Sequence, residues 1–221
     1  MAGAGYSSPL SKNTILDGPR PPKPSIEELA CAVDDVWDAP VAGEGTHDSA
    51  SDGATTTTTT TIGTNNVVLQ VFVIRHGRTR ENQLHIIQGH MDTLLNEIGM
   101  AQARKCATVL AMLPFDAIWS SDLTRCIQTR DIALSSQLAT LPVERVHESK
   151  HFRERSFGDL EGYPARVAAV ELKKRKLTWD TAGEDPKVFQ TRLFRGWDAM
   201  VEEARTSRFR RVAVVTHGGT T

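Results

Sequence analysis

Eight consecutive residues, Val67-Val68-Leu69-Gln70-Val71-Phe72-Val73-Ile74, carry seven apolar side chains and show no polar–apolar alternation. A strand of this kind has no face suited to water, so both faces of its sheet must be covered. Val212-Ala213-Val214-Val215, inside Arg211 to Thr216, has the same character, and Ile118-Trp119 closes a shorter strand. The intervening segments have helical spacing. Asn96 can cap a helix that buries Ala103, Cys106, Ala107, Leu110 and Leu113 on one face and stops at Pro114. A second helix is predicted from Asp122 to Leu138, followed by a polar stretch from Val143 to Lys150, and two more over Pro164 to Leu177 and Val188 to Ala204. Strands alternating with helices of this length predict an α/β chain: a three-layer α/β/α sandwich with a mostly parallel sheet.

Composition changes abruptly before this pattern begins. Residues 1–66 contain three basic and nine acidic residues (net −6), which leaves +5 on residues 67–221 and a total of −1. The first segment is rich in Pro, Gly, Ala and Ser and ends in seven threonines, Thr55 to Thr61. Such a stretch buries too little to offset the entropy of ordering it. The expected organisation is a disordered tail over 1–66 and a folded domain over 67–221. Within the tail, Ser25 and Glu28 fit a capping box, and Ile26, Leu29, Ala30, Val33 and Trp37 share one side of a helix near 25–37. That acidic helix is a candidate for docking on the basic domain or on a partner.

The totals also exclude several classes. The near-neutral balance gives no general attraction to nucleic acid or to a membrane surface. The longest apolar run is far shorter than the ~20 residues needed to cross a bilayer, and no basic-then-apolar leader is present in the sequence given. Three cysteines, at 31, 106 and 126, form no CxxC pair, which argues against a disulfide framework or a cysteine zinc site. A cytoplasmic location is expected over a nuclear one, since Lys173-Lys174-Arg175-Lys176 reads as the solvated face of a helix.

In parallel sheets, ligands bind beyond the carboxyl ends of the strands. Here the first strand runs into Arg75-His76-Gly77, the second into Ser120-Ser121-Asp122-Leu123-Thr124-Arg125, and the last into His217-Gly218-Gly219. Two histidines and two arginines therefore converge on one rim. Arginine pairs bidentately with phosphoryl oxygens, and a neutral imidazole is nucleophilic without a helper base. A nearby carboxyl group would be needed to protonate a leaving oxygen.

Four segments together carry a family resemblance. Arg75-His76-Gly77-x-Thr79-x-x-Asn82, Ser120 to Thr129, Phe152-Arg153-Glu154-Arg155-Ser156-Phe157-Gly158-Asp159-Leu160-Glu161-Gly162, and Val214-Val215-Thr216-His217-Gly218-Gly219 resemble, in order and spacing, the motifs of the histidine phosphatase superfamily, the phosphoglycerate-mutase-like proteins. Ile86-Ile87-Gln88-Gly89-His90-Met91-Asp92 is most similar to its apoptosis-regulator-type fructose-2,6-bisphosphatase branch. The resemblance implies that His76 accepts the phosphoryl group. It implies that Arg75, Arg125 and His217 cradle the phosphoryl oxygens, with Asn82 on the same group. Glu154 would act as acid and then base, although Asp159 and Glu161 are neighbouring carboxylates. Gln88 and Gly89 would line the substrate side. No metal and no cofactor are implied. The expected partner is a small phosphorylated metabolite, with a sugar bisphosphate suggested by the Gln88-Gly89 segment, and an acidic-to-neutral pH optimum is expected.

Two positions depart from the pattern. Arg78 stands where the family has Glu or Gln. Only four residues follow His217, so the domain is expected to be incomplete at its C-terminus, with one sheet face partly uncovered. The alternatives are mutase-type transfer, disfavoured by Phe157 in place of a tyrosine and by the lack of the lysine after the acid segment, or a non-catalytic, truncated phosphate-binding regulator.

Overall fold

The structure is a computed structural model that describes residues 56–61 and 68–220. Its centre is a five-stranded sheet of order β1-β2-β5-β3-β4, formed by β1 (Thr56–Thr61), β2 (Val68–Arg75), β3 (Ala117–Ser121), β4 (Val146–Ser149) and β5 (Arg211–Thr216). β2, β5, β3 and β4 are mutually parallel, and β1 runs antiparallel to β2. The helices are α1 (Arg80–Gln83), α2 (Glu97–Leu110), α3 (Thr124–Ala133), α4 (Ser135–Leu138), α5 (Ala165–Lys174) and α6 (Pro186–Ser207).

The two predominantly apolar runs become neighbours, β2 and β5, and each of their faces meets helices. Phe72, Ile74, Ala213 and Val215 face α2 and α3, packing with Ala103, Leu110, Cys126 and Ala133. Val71, Val212 and Val214 face the other way, onto Met200 and Ala204 of α6 and onto Phe152. This is the sandwich expected from strands without a polar face. A third cluster, comprising Leu160, Tyr163, Ala168, Leu172 and Ala182, lies under α5.

Local chemistry sets the helix ends. Asn96 accepts from the Gly99 amide at 2.9 Å and starts α2 where expected. The helix ends at Leu110, before Pro114. Buried Gln137 donates to the carbonyls of Leu110 and Leu113 at 2.7 and 3.2 Å, which satisfies groups a helix end leaves open. The single helix expected over Asp122 to Leu138 is instead two, divided at Leu134, whose backbone (φ −116°, ψ 22°) leaves the helical region. The polar stretch after Val143 contains β4, an edge strand paired only with β3. One-sided pairing needs no apolar run.

Thr56–Thr61, six of the seven threonines read as part of the tail, form β1, with Thr56 opposite Val73 and Thr61 opposite Val68. β-branched residues suit a strand, and β1 covers the otherwise open edge of β2. The helix expected near 25–37 lies outside the described residues. On the α6 face, Val73, Val214, Phe194, Trp197 and Thr220 line an apolar cleft of about 120 Å3, and Phe194 is 55 % exposed. Among the described residues, no helix is long and apolar enough to cross a membrane.

Candidate functional site

The parallel register places the ends of β2 and β5 side by side, with Arg75 opposite Thr216, and β3 ends next to them. A cavity of about 480 Å3 opens there. All eight site residues expected from sequence line it: Arg75, His76, Asn82, Gln88, Gly89, Arg125, Glu154 and His217.

His76 continues the β2–β5 pairing, its amide donating to the Thr216 carbonyl at 2.9 Å. Its Nδ1 lies 2.8 Å from the Gly77 carbonyl. A carbonyl can only accept, so this contact assigns the proton to Nδ1 and leaves the Nε2 lone pair free. Burial, and then the positive charge of Arg125, push the His76 pKa down to about 3, with a smaller push from Arg75. The imidazole is therefore neutral throughout the physiological range. Thr129 fixes this turn, accepting from the Gly77 amide at 3.0 Å and donating to the Arg125 carbonyl at 2.7 Å.

His217 is fully buried after β5, its ring 5.2 Å from that of His76 and inclined at 64°. Its Nε2 meets Ser121 Oγ at 2.9 Å, and Cys126 Sγ lies 3.4 Å from the same nitrogen. Burial, followed by Arg125 and His76, lowers its pKa too. Burial pushes the Cys126 thiol up to about 12, so it stays protonated beside His217.

Arg125 stands in the first turn of α3 and is 1 % exposed. Nη1 donates to the Met91 carbonyl at 2.6 Å and Nη2 to the Gly89 carbonyl at 2.9 Å. Its buried Nε has no hydrogen-bond partner among the described residues. A guanidinium held this way keeps donors for an anion. Gly89 has φ +48°, and a Cβ there would collide with the Glu161 carboxylate, so only glycine presents this carbonyl to Arg125. Gln88 Oε1 accepts from Thr93 Oγ1 at 2.7 Å, and Asn82 Oδ1 caps α1 by accepting from the Thr79 amide at 3.1 Å. The NH2 ends of both amides are thus the donors that remain for a ligand.

Of the three neighbouring carboxylates, Glu154 lines the cavity, whereas Asp159 is exposed. Glu161 is turned into the loops, where one oxygen accepts from the His90 amide, the Phe157 amide and Ser156 Oγ at 2.8 to 3.0 Å. Glu154 accepts from the Gly219 amide at 2.9 Å and from the Arg155 amide at 2.9 Å. A Cβ on Gly219 would strike that carboxylate, which accounts for glycine after His217-Gly218. The Glu154 carbonyl is held by His90 Nε2 at 2.8 Å and by Arg192 Nη2 at 3.1 Å. Arg192 also donates to the carbonyls of Lys150, His151 and Arg153 and pairs through two nitrogens with Glu184.

The sequence gives no role to His90, Thr129, Ser121, Arg192 or Trp179 individually. Arg192 meets Glu154 across 38 residues, and nothing in the local sequence of α6 signals that contact. Thr129 did lie inside a quoted motif, as the residue four after Arg125, where a helix brings side chains onto one face. The outer part of the cavity is lined by Ile86, Ile87, Phe157, Ala165 and Trp179.

Comparison with known proteins agrees with this arrangement. Residues 71–221 match the histidine phosphatase superfamily (branch 1). A Schizosaccharomyces pombe protein named "Probable phosphatase" is 36 % identical over 153 residues, covering 68 % of this chain and 69 % of its own. A broad-specificity phosphatase of Saccharomyces cerevisiae is 34 % identical over 159 residues, covering 70 % and 68 %. The fructose-2,6-bisphosphatase TIGAR of Xenopus tropicalis is 34 % identical over 103 residues, covering 46 % and 37 %. Among solved structures, the α-ribazole phosphatase of Shigella flexneri superposes with a TM-score of 0.59 at 29 % identity, over 68 % of this chain and 74 % of that one. Order of motifs, sheet topology and a match across well over half of the sequence agree: the chain belongs to the histidine phosphatase superfamily, branch 1, and is a phosphatase.

Proposed function

We propose that the protein hydrolyses a small phosphomonoester in two phosphoryl transfers through His76. In the first, the Nε2 lone pair attacks phosphorus, the bond to the ester oxygen breaks, and Glu154 as the acid gives its proton to that oxygen. In the second, water attacks the phosphoryl group, Glu154 as the carboxylate takes a proton from it, and the P–N bond breaks. Inorganic phosphate leaves and the neutral imidazole is restored. Arg75, Arg125 and His217 take the phosphoryl oxygens, with the Asn82 amide beside them, so two guanidinium cations and neutral donors meet the charge that builds in transfer. The resemblance to a broad-specificity yeast phosphatase supports a general monoester activity.

The observation that carries this reading is the state of His76: neutral, with its proton fixed on Nδ1 by Gly77, beside a buried guanidinium with an unpartnered Nε. The test uses an aryl phosphate. The wild type releases phosphate, and quenched turnover yields phosphoprotein that is acid-labile and base-stable. His76→Ala loses about 10⁴-fold or more in kcat, as removal of a catalytic nucleophile does. Equal, negligible rates for the two proteins, or turnover without phosphoprotein, would overturn the proposal. Because guanidinium groups supply the positive charge, a chelator is expected to leave the rate unchanged.

A further inference from the structure

The outer half of the cavity has different chemistry from its floor. Ile86, Ile87, Phe157, Ala165 and Trp179 line it, and Trp179 is 40 % exposed. Trp179 thus presents aromatic surface to a ligand held in the cavity. Trp179 and Phe157 pack edge to face, with ring centroids 6.2 Å apart and planes at 85°.

This wall is built rather than draped. Trp179 sits on the segment joining α5 to α6, which Arg155 fastens to the Glu154–Glu161 loop. Arg155 Nε donates to the Glu184 carbonyl at 2.8 Å, and Nη2 donates to the carbonyls of Asp180 and Ala182 at 2.8 and 2.9 Å. The Glu184 amide returns a bond to the Ser156 carbonyl at 2.8 Å. Ala182 is buried with Leu160, Tyr163, Ala168 and Leu172, and Ile87 and Phe157 pack on the same cluster.

Arg155 also bears on what the outer half cannot favour. It is the cation lining the cavity beyond the phosphoryl end, yet three of its donor bonds go to main-chain carbonyls, and its guanidinium carbon lies 5.4 Å over the Phe157 ring. A second phosphoryl group placed there would meet mostly aromatic and aliphatic carbon, with one guanidinium whose Nε and Nη2 hydrogens are already spent on main-chain carbonyls.

We infer that the preferred substrates are monoesters whose leaving group carries a flat, largely apolar ring seated against Trp179, Phe157 and the Ile86-Ile87 pair, in place of the sugar bisphosphate suggested by the Gln88-Gly89 segment. Aromatic contacts add about 0.5–1.5 kcal/mol beyond area burial, enough for several-fold to tenfold discrimination. The hydrolytic arm of the test rests on the mechanism proposed above, and the binding arm does not.

The hydrolytic arm compares kcat/KM for 2-(2-naphthyl)ethyl phosphate, glycerol 2-phosphate and fructose 1,6-bisphosphate. All release an aliphatic or sugar hydroxyl, which limits intrinsic differences in leaving ability. The wild type is expected to favour the naphthyl ester by about tenfold or more. Trp179→Ala should collapse the ratio toward one, and Trp179→Phe should retain most of it. In the binding arm, calorimetry on His76→Ala protein compares naphthylmethylphosphonate with methylphosphonate. The naphthyl compound should bind about tenfold tighter, and the double variant with Trp179→Ala should lose that advantage. Naphthyl selectivity that survives Trp179→Ala, a bisphosphate preferred by the wild type, or phosphonates of equal affinity would each overturn the inference. Tryptophan-dependent phosphonate binding without hydrolysis of any ester would sustain this wall and sink the catalytic proposal, so the two fail separately.

Discussion

The floor of the cavity and its outer wall are made in different ways. The floor consists of side chains one residue beyond the ends of β2 and β5, with Arg125 in the first turn after β3, all fixed by parallel register. The wall consists mainly of loop residues, with Ala165 at the start of α5, held by bonds that Arg155 and Arg192 donate to main-chain carbonyls and that Glu161 accepts from the Phe157 amide. A sheet tolerates little variation in where its strands end, whereas loops can be exchanged while their fastenings remain. The floor therefore defines the reaction, and the wall defines what the reaction is performed on.

Glu154 lies where the two meet, and its removal gives the largest effect on this comparison. Glu154→Gln is expected to lower kcat by about 10²–10⁴-fold, the range for loss of an acid–base group. The loss should be greatest for alkyl phosphates and smallest for nitrophenyl phosphate, whose leaving group needs no proton. Rates for a series of esters with graded leaving-group basicity measure this directly, and a uniform loss would remove Glu154 from the acid role.

Arg192 provides a smaller and sharper probe. It touches the carbonyl of Glu154 but is not among the cavity-lining residues. Arg192→Met should let the carboxylate drift and lower kcat by about 10–10²-fold, as misplacement by about 1 Å does. Affinity for inorganic phosphate should change little, because the floor is untouched. A parallel loss of phosphate binding would show that floor and wall are not separable.

The smallest effect is on stability against pH. His76 has an ordinary pKa near 6.5 when unfolded and about 3 when folded, so the unfolded chain binds the proton more readily between these values. Its contribution is complete above pH 6.5 and is lost as pH falls toward 3, and His217 acts in the same direction. On the wall side, Arg192 is the main cause that holds Glu184 below its ordinary 4.5, so that contribution begins to fade only below pH 4.5. Acid should weaken the floor before the wall. Melting temperature followed from pH 7 to 5 should fall in the wild type and fall less steeply in His76→Asn, where His217 alone still contributes, and an unchanged slope would contradict the buried-imidazole account.

What the sequence makes legible follows the same division. β2 and β5 could be read because a nearly continuous apolar run allows one environment, His76 and His217 because they follow such runs directly, and Arg125 because it lies just past the end of the shorter strand β3. β4 could not, since Val146-His147-Glu148-Ser149 gains its conformation from one-sided pairing with β3. The break at Leu134 was equally hidden, because Ser135 and Ser136 continue a helical pattern tolerably well. β1 was read as tail because low complexity outweighed the strand preference of threonine. Trp179 and Arg192 owe their roles to contacts made across the Glu154–Glu161 loop, which no window of sequence contains.

Glu161 has a kinetic consequence. A single carboxylate oxygen holds the amides of His90 and Phe157, on two adjacent segments that are also joined by main-chain bonds between Ile87 and both Gly162 and Tyr163. Neither segment can swing away while these bonds persist, so the two are expected to open as one cooperative unit. Hydrogen exchange should therefore protect the His90 and Phe157 amides to a similar degree, with a common opening free energy below that of β5.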